Sequence, residues 1–273
     1  MNNSTIGASV SMASLQRRLE IIANNIANMD TNGYKSKEGS FEDVLTRVQQ
    51  QSRDYDQPGR SMPLGFNMGF GVRVPEVTTN WEEGPLQETG NPTDLALQGN
   101  GLFGVQVNGG TAYTRQGDFH FVPDAANAAN MMLVDNTGNP VLNTEGNPLT
   151  VPANVSAAID EKGRVLTKTG ENTPVTVAGT IMIVEPLRQS ALQAVDGNFY
   201  VLPEGVTAAQ AFIQRAPGEA SDVGVRSGYL EQSNVDLSKE MTEMMQIQRT
   251  YQLAARALSS SDQMLGLANS MRG

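Results

Sequence analysis

Toward the C-terminus, apolar side chains recur at alternating steps of three and four: Leu237, Met244, Ile247, Tyr251, Ala254, Leu258, Leu265 and Ala268, with Glu240 and Ser261 as the polar positions on the same line. That spacing puts one stripe along a single helix, the pattern of a heptad seam. No proline intervenes, and no glycine before Gly266, so one helix is expected from Asp236 to Ser270. At ~1.5 Å per residue it would be a rod of roughly 50 Å, too long for a small domain to cover, and it needs a partner along its length. Ser233, followed three residues later by Asp236, has the form of a capping box that would set where the helix begins.

The N-terminus carries a shorter copy of the same signal. Ala8, Met12, Leu15, Leu19, Ile22, Ile26 and Met29 alternate by four and three, which predicts a second amphipathic helix, with Arg17, Arg18 and Glu20 off the seam. Asn2, Asn3, Ser4 and Thr5 supply cap side chains at its start, and the turn residues Asp30-Thr31-Asn32-Gly33 mark its end. Gly33 is expected to take the left-handed conformation that stops a helix. Asn24, Asn25 and Asn28 are poor helix formers because their amides compete with the backbone. Two readings are open: a frayed last turn with exposed amides, or side chains that lie beside the seam and bond to neighbouring subunits, trading stability for register.

Between the helices the period changes. Gln49 to Gly71, with Pro58-Gly59, Pro63 and three glycines after it, reads as an extended linker or arm. From Val72 onward the apolar period falls to two, in short runs such as Leu95-Ala96-Leu97, Phe103 to Val107, Ala112-Tyr113-Thr114, Met132-Leu133-Val134 and Ile181 to Val184. Gly-rich turns separate them, which predicts an antiparallel β-body. The expected fold is therefore α+β, with a coiled-coil-like rod domain built from residues 1–48 and 228–273, an arm at 49–71 and a β-rich body at 72–227 inserted between the helices.

Charge is unevenly placed. Of the net −10, the first 38 residues carry +1, residues 236–273 carry zero and the middle carries −11. Helices meant to pack densely cannot hold much like charge, whereas an acidic body stays soluble. No basic stripe is present for phosphates, so nucleic acid is not an expected partner.

The absence of cysteine excludes disulfides and thiolate chemistry, and a single histidine, His120, excludes a His-rich zinc site. His120 reads as a polar position on a strand. Gly99-Asn100-Gly101-Leu102-Phe103-Gly104 matches a dinucleotide fingerprint in letters, but a strand-like run follows it instead of a helix. Asp135 to Asn139 lacks the spaced carboxylates of a calcium loop and reads as a β-turn. Trp81-Glu82-Glu83 is the one place where carboxylates meet a tryptophan, as a glycosidase would require, and its plain reading is a solvated turn. No catalytic residue, cofactor, metal ligand or small-molecule substrate is expected. No apolar stretch approaches the ~20 residues of a membrane span and no cleavable secretion signal is visible, which by itself reads as cytoplasmic.

Both ends of the chain carry a resemblance. Asn24 to Lys35, NNIANMDTNGYK, with Asn24, Asn25, Asn28, Thr31, Gly33 and Tyr34 as its signature, resembles the N-terminal motif of flagellar rod, hook and hook-basal-body proteins. Gly228 to Met241, GYLEQSNVDLSKEM, resembles their other terminus, and Asn91 to Phe103 with Tyr113 to Phe119 resembles their shared body segment. The Pro63 to Arg73 run and the insertion between Pro123 and Met131 are similar to the distal-rod branch and its Gram-positive paralogues.

The resemblance implies an unprocessed protein that leaves the cell through the flagellar export apparatus and resides in the basal body. It also implies self-assembly with other rod and hook proteins into a tube. The assembly seams would be Leu15, Leu19, Ile22, Ile26 and Met29 on one helix and Leu237, Met244, Ile247, Tyr251, Leu258 and Leu265 on the other. Phe41 and Leu45 resemble the family's Phe-x-x-x-apolar export motif, although Phe41, Val44, Leu45 and Val48 would equally form one face of a short amphipathic helix.

Overall fold

Both stripes become helices: α1 spans Asn3–Ala27, a short α2 spans Ala208–Ala211, and α3 spans Leu237–Ser270. They are seen in a computed structural model, which describes residues 3–39, 42–43, 47–49, 66–68, 72–73, 77–124, 127, 129–153, 155–168, 174–189, 192–195, 198–203, 205–214 and 223–270. The architecture is α+β, with antiparallel strands between the two long helices. By contacts the chain divides into one unit of Met1–Ala27, Lys37–Thr78 and Asp236–Gly273 and a second of Asn28–Ser36 and Thr79–Val235.

In the first unit α1 packs on α3 through Leu15, Ile22 and Ile247, flanked by Leu19, Ile26, Met244 and Tyr251. The start of α3 differs from the capping-box expectation. Asp236 is the cap: its Oδ1 accepts the N–H groups of Ser238 and Lys239 at 2.9 and 3.2 Å, and its carbonyl takes the N–H of Glu240 at 2.9 Å. Ser233 is buried and its Oγ receives the Val235 N–H at 3.4 Å, ahead of the helix. A second correction concerns the described residues of the 41–48 stretch, where a short helix is one expectation. Glu42–Asp43 pairs with Val72–Arg73 and Arg47–Gln49 with Phe66–Met68, and the ladder bonds to distant partners override the local helical spacing.

In the second unit a six-stranded antiparallel sheet has the order Gln193–Val195, Phe199–Val201, Gly110–Thr114, Leu102–Val107, Ile183–Pro186, Phe212–Gln214. Two three-stranded sheets stand beside it: His120–Pro123, Asn130–Val134, Thr150–Pro152, and Ser156–Ile159, Arg164–Lys168, Thr176–Thr180. Alternate residues from all three, among them Phe103, Val105, Leu133, Val151 and Val165, form one apolar core with Phe119 and Ile181 from the adjoining segments. Two ribbons complete the unit, Leu95–Gln98 with Gly224–Ser227 and Leu86–Glu88 with Tyr229–Glu231. The second ribbon carries the charge that organises the site below.

Asp118 is a local weakness of this core. Its Oδ1 is buried with no hydrogen-bond partner, and burial raises its carboxyl pKa, with Asp135 and Asp94 adding to the effect and a bond from Gln116 opposing it. A raised folded pKa means that Asp118 favours the fold at low pH and disfavours it as pH rises through that value. Asp118→Asn should therefore raise the thermal midpoint at pH 7, and the gain should vanish below about pH 4, where the unfolded carboxyl is also protonated. Scanning calorimetry of both proteins between pH 3 and 8 measures it.

Candidate functional site

The N-terminal signature divides between the two units. Asn24 and Asn25 lie on the last turn of α1. Asn24 faces outward, whereas Asn25 is buried to 1% exposure. Its Oδ1 accepts the Lys37 N–H at 2.9 Å, while Nδ2 donates to the Lys37 carbonyl at 2.9 Å and to Glu240 Oε1 at 3.0 Å. One amide thus replaces a strand neighbour for Lys37 and ties it to the first turn of α3. Asn25 is neither frayed nor turned to another subunit; its partners are within the chain. Burial raises the Glu240 carboxyl pKa, against the lowering effect of the Asn25 amide. Arg18 and Glu243, at 3.0 Å, add an ion pair between the same helices.

Of the other seam positions, Leu237 and Leu258 are half-buried on the face of α3 that holds Met244, Ile247 and Tyr251, and Leu265 has a side chain outside the described residues. Met29 lies beyond the end of α1, in a turn closed by the Thr31 N–H on the Asn28 carbonyl at 3.1 Å. The turn comes early because Asn28 also accepts the Thr31 hydroxyl through Oδ1, at 3.3 Å. Phe41 and Leu45 lie outside the described residues.

Gly33 corrects a further expectation. Its φ of +68° is left-handed, but it sits well past the last turn of α1 and does not cap it. Its role is close approach: a Cβ here would lie 2.7 Å from the backbone of Arg115, and its N–H donates to the Glu231 carbonyl at 2.7 Å. Tyr34, next along, is buried.

This approach delivers Lys35 to a charge cluster that the residue pattern did not reveal. Lys35 Nζ donates to Glu231 Oε1 at 2.7 Å and to the Glu82 carbonyl at 2.5 Å, and Arg115 Nε donates to Glu231 Oε2 at 2.5 Å. The remaining Arg115 nitrogens reach the carbonyls of Gly99 and Gly101, each at 2.6 Å, and of Leu97 at 3.0 Å. All three side chains are no more than 3% exposed.

Burial works to raise the Glu231 carboxyl, yet Arg115 and Lys35 outweigh it and hold the group below the usual carboxylate range. Burial lowers the Lys35 ammonium pKa, and the Glu231 charge offsets this only in part. The Gly99 to Gly104 run that imitates a nucleotide loop is thereby explained: its carbonyls are ligands for a guanidinium, and Leu102–Val107 is a strand.

The other sequence candidates have structural roles. Asp135 receives the N–H groups of Thr137 and Asn139 at 2.9 and 2.8 Å, closing a turn. His120 is an exposed strand residue opposite Val134. Trp81 packs on Tyr200 with ring centroids 4.7 Å apart, while Glu82 is exposed and the half-exposed Glu83 carboxylate accepts the Gly99 N–H and lies 3.9 Å from Arg115. Among the described residues, no group of three His, Cys, Asp or Glu side chains is arranged to hold a metal, and no helix is long and apolar enough to cross a membrane.

Three family profiles match this chain: the flagella basal body rod protein over residues 9–35, the flagellar hook protein FlgE/F/G D1 domain over 96–167, and the C-terminal region of the flagellar basal body rod FlgEFG protein over 226–271. Over full length it is 31% identical to the flagellar hook-basal body complex protein FlhP of Bacillus subtilis, covering 100% of both chains. The chain belongs to the flagellar basal-body rod and hook family.

Flagellar basal-body rod proteins FlgG of Caulobacter vibrioides and of Bacillus subtilis are each 32% identical, over 97% and 93% of both chains respectively. Each of the three matched family segments supplies one member of the charge cluster: Lys35 from the first, Arg115 from the second and Glu231 from the third. Segments far apart in the sequence thus meet at one carboxylate.

Removing that carboxylate strands two cations in the interior. Glu231→Gln should cost about 3–5 kcal/mol of stability at pH 7, read from urea unfolding. Because the folded pKa of Glu231 is depressed, its contribution is present above the ordinary glutamate pKa of about 4.3 and is lost as pH falls through the folded value, so the two proteins should converge in acid.

Proposed function

We propose that this chain is a structural subunit of the flagellar rod, of the distal-rod type. It passes through the flagellar export apparatus without a cleaved signal peptide, with Phe41 and Leu45 as the export motif. It then polymerises head to tail into a helical tube that transmits torque to the hook. Its partners are further copies of itself, other rod and hook proteins and the export apparatus. Neither nucleic acid nor a small-molecule substrate is involved, and its place is the basal body.

The observation that carries this reading is on α3. With Ile247, Met244 and Tyr251 committed to α1, Met241, Met245, Leu253, Met264 and Leu267 remain on the other side, each between 49% and 65% exposed. A long helix with a second apolar stripe needs a second partner, and copies of the same chain can supply one by a contact that does not close on itself. Methionine suits such a surface because its side chain adapts to contacts that are not strictly equivalent. The terminal segments 1–48 and 228–273 then form a coiled-coil-like rod domain carrying the body at 72–227, with the arm at 49–71 against neighbours.

A minor subunit at the junction of rod and hook is the second reading, supported by the full-length match to a protein called a hook-basal body complex protein. Copy number separates the two. Quantitative mass spectrometry of purified hook-basal bodies should find tens of copies per basal body for a bulk rod subunit and a handful for a junction protein; absence would reject both. A catalytic role in opening the cell wall is not proposed, since Trp81 is spent on packing against Tyr200. Ile22→Asp and Leu258→Asp should each abolish incorporation into the tube while circular dichroism still reports the β-body. Normal assembly of either variant would refute the seam.

A further inference from the structure

Two segments of the second unit are bonded to the body through polar groups and stand outside its apolar clusters. They are residues 28–36, which follow α1 directly, and residues 229–235, which end just before the cap of α3. They are bonded to each other: Gly33 N–H to the Glu231 carbonyl and Ser36 N–H to Asn234 Oδ1, both at 2.7 Å, with Lys35 on Glu231 between them. Among the described residues, neither segment contributes a member to the two apolar clusters of the body, although Tyr34 is buried. The strand before them, Gly224–Ser227, is anchored differently, because Val225 belongs to the main core. Between the two lies Gly228, at φ +82°, with its N–H on the Asp94 carbonyl at 2.8 Å and its own carbonyl accepting the Thr89 N–H at 2.8 Å. A pinned glycine between an apolar strand and a polar one is a natural hinge.

We infer that residues 28–36 and 229–235 form a strap that opens and closes on the body as one unit, while the six-stranded and the two three-stranded sheets stay closed. The charge cluster makes the two segments cooperative. If residues 229–235 leave alone, Lys35 and Arg115 both lose Glu231; if residues 28–36 leave alone, Glu231 keeps Arg115 but loses the Lys35 ammonium, and the Glu231 carbonyl and Asn234 Oδ1 lose the N–H groups of Gly33 and Ser36.

If both leave together, Lys35 and Glu231 reach water. Arg115 keeps the carbonyls of Leu97, Gly99 and Gly101 and has a second carboxylate at hand, Glu83, 3.9 Å away and half exposed. The open state therefore buries no bare charge, and its own segments, although they expose Tyr34, carry no member of the apolar clusters, which places its free energy below that of global unfolding. Since the two segments lead to α1 and α3, opening would release both helix leads in a single event. The inference concerns the isolated chain and does not depend on the rod reading.

Native-state hydrogen exchange on the full chain, resolved by peptide, tests it. Peptides from 28–36 and 229–235 should share one opening free energy, lower than that of the strands at 102–107, 130–134 and 164–168. Glu231→Gln should speed exchange in both strap segments at least about tenfold and leave those strands unchanged. Glu83→Gln, which removes the resting partner of Arg115, should slow it. Lys35→Met, which keeps the Glu231 to Arg115 pair, serves if Glu231→Gln does not fold and should loosen both segments together. Different opening energies for the two segments in the wild type, or parallel loss of protection across all strands in the variants, would overturn the strap.

Discussion

The body is organised around a single carboxylate that must neutralise two cations out of reach of water. Glu231 meets Lys35 and Arg115 and also takes the Gly84 N–H at 2.9 Å. A charge so buried is stable only when its geometry and its remaining lone pairs are satisfied. That requirement dictates the backbone around it. Gly33 has to pass against Arg115 and Gly84 against Gln232, where a Cβ would lie 2.0 Å from the carbonyl oxygen. Apolar packing could hold the three sheets together without this cluster, but neither apolar cluster of the body holds residues 28–36 or 229–235.

The same economy of polar groups appears in the helical unit. Asn25 lowers the propensity of α1 where it stands, and in exchange it gives Lys37 both of the hydrogen bonds that a strand neighbour would provide. Its third contact, to Glu240, joins the first turn of α3 to the last turn of α1. The apolar face of α1 against α3 supplies the favourable burial, and the amide supplies the register.

The exposed side of α3 has the opposite character. Among the described residues its methionines and leucines stay exposed, while the seam through Ile247 packs on α1. A surface of this kind is costly in water unless another molecule covers it. In the flagellar reading it is what makes subunits add to a tube, while the acidic body keeps free chains apart.

By itself the sequence determined the two helices, the β-body and the family, because each rests on local signals: a period of three and four, a period of two, turn residues, and motifs of contiguous letters. Spacing along α3 also marked Leu237, Met244, Ile247, Tyr251 and Leu258 as one face. What it left undecided are the pairings across distance. Nothing near Glu231 in the sequence distinguishes it from an exposed glutamate, because its partners lie 116 and 196 positions away. For the same reason Gly33 looked like a helix stop and Ser233 like a cap, when one serves a close approach and the other is buried. Only the tertiary structure decides such cases, since desolvation and charge pairing depend on which segments meet in space and leave no periodic trace along the chain.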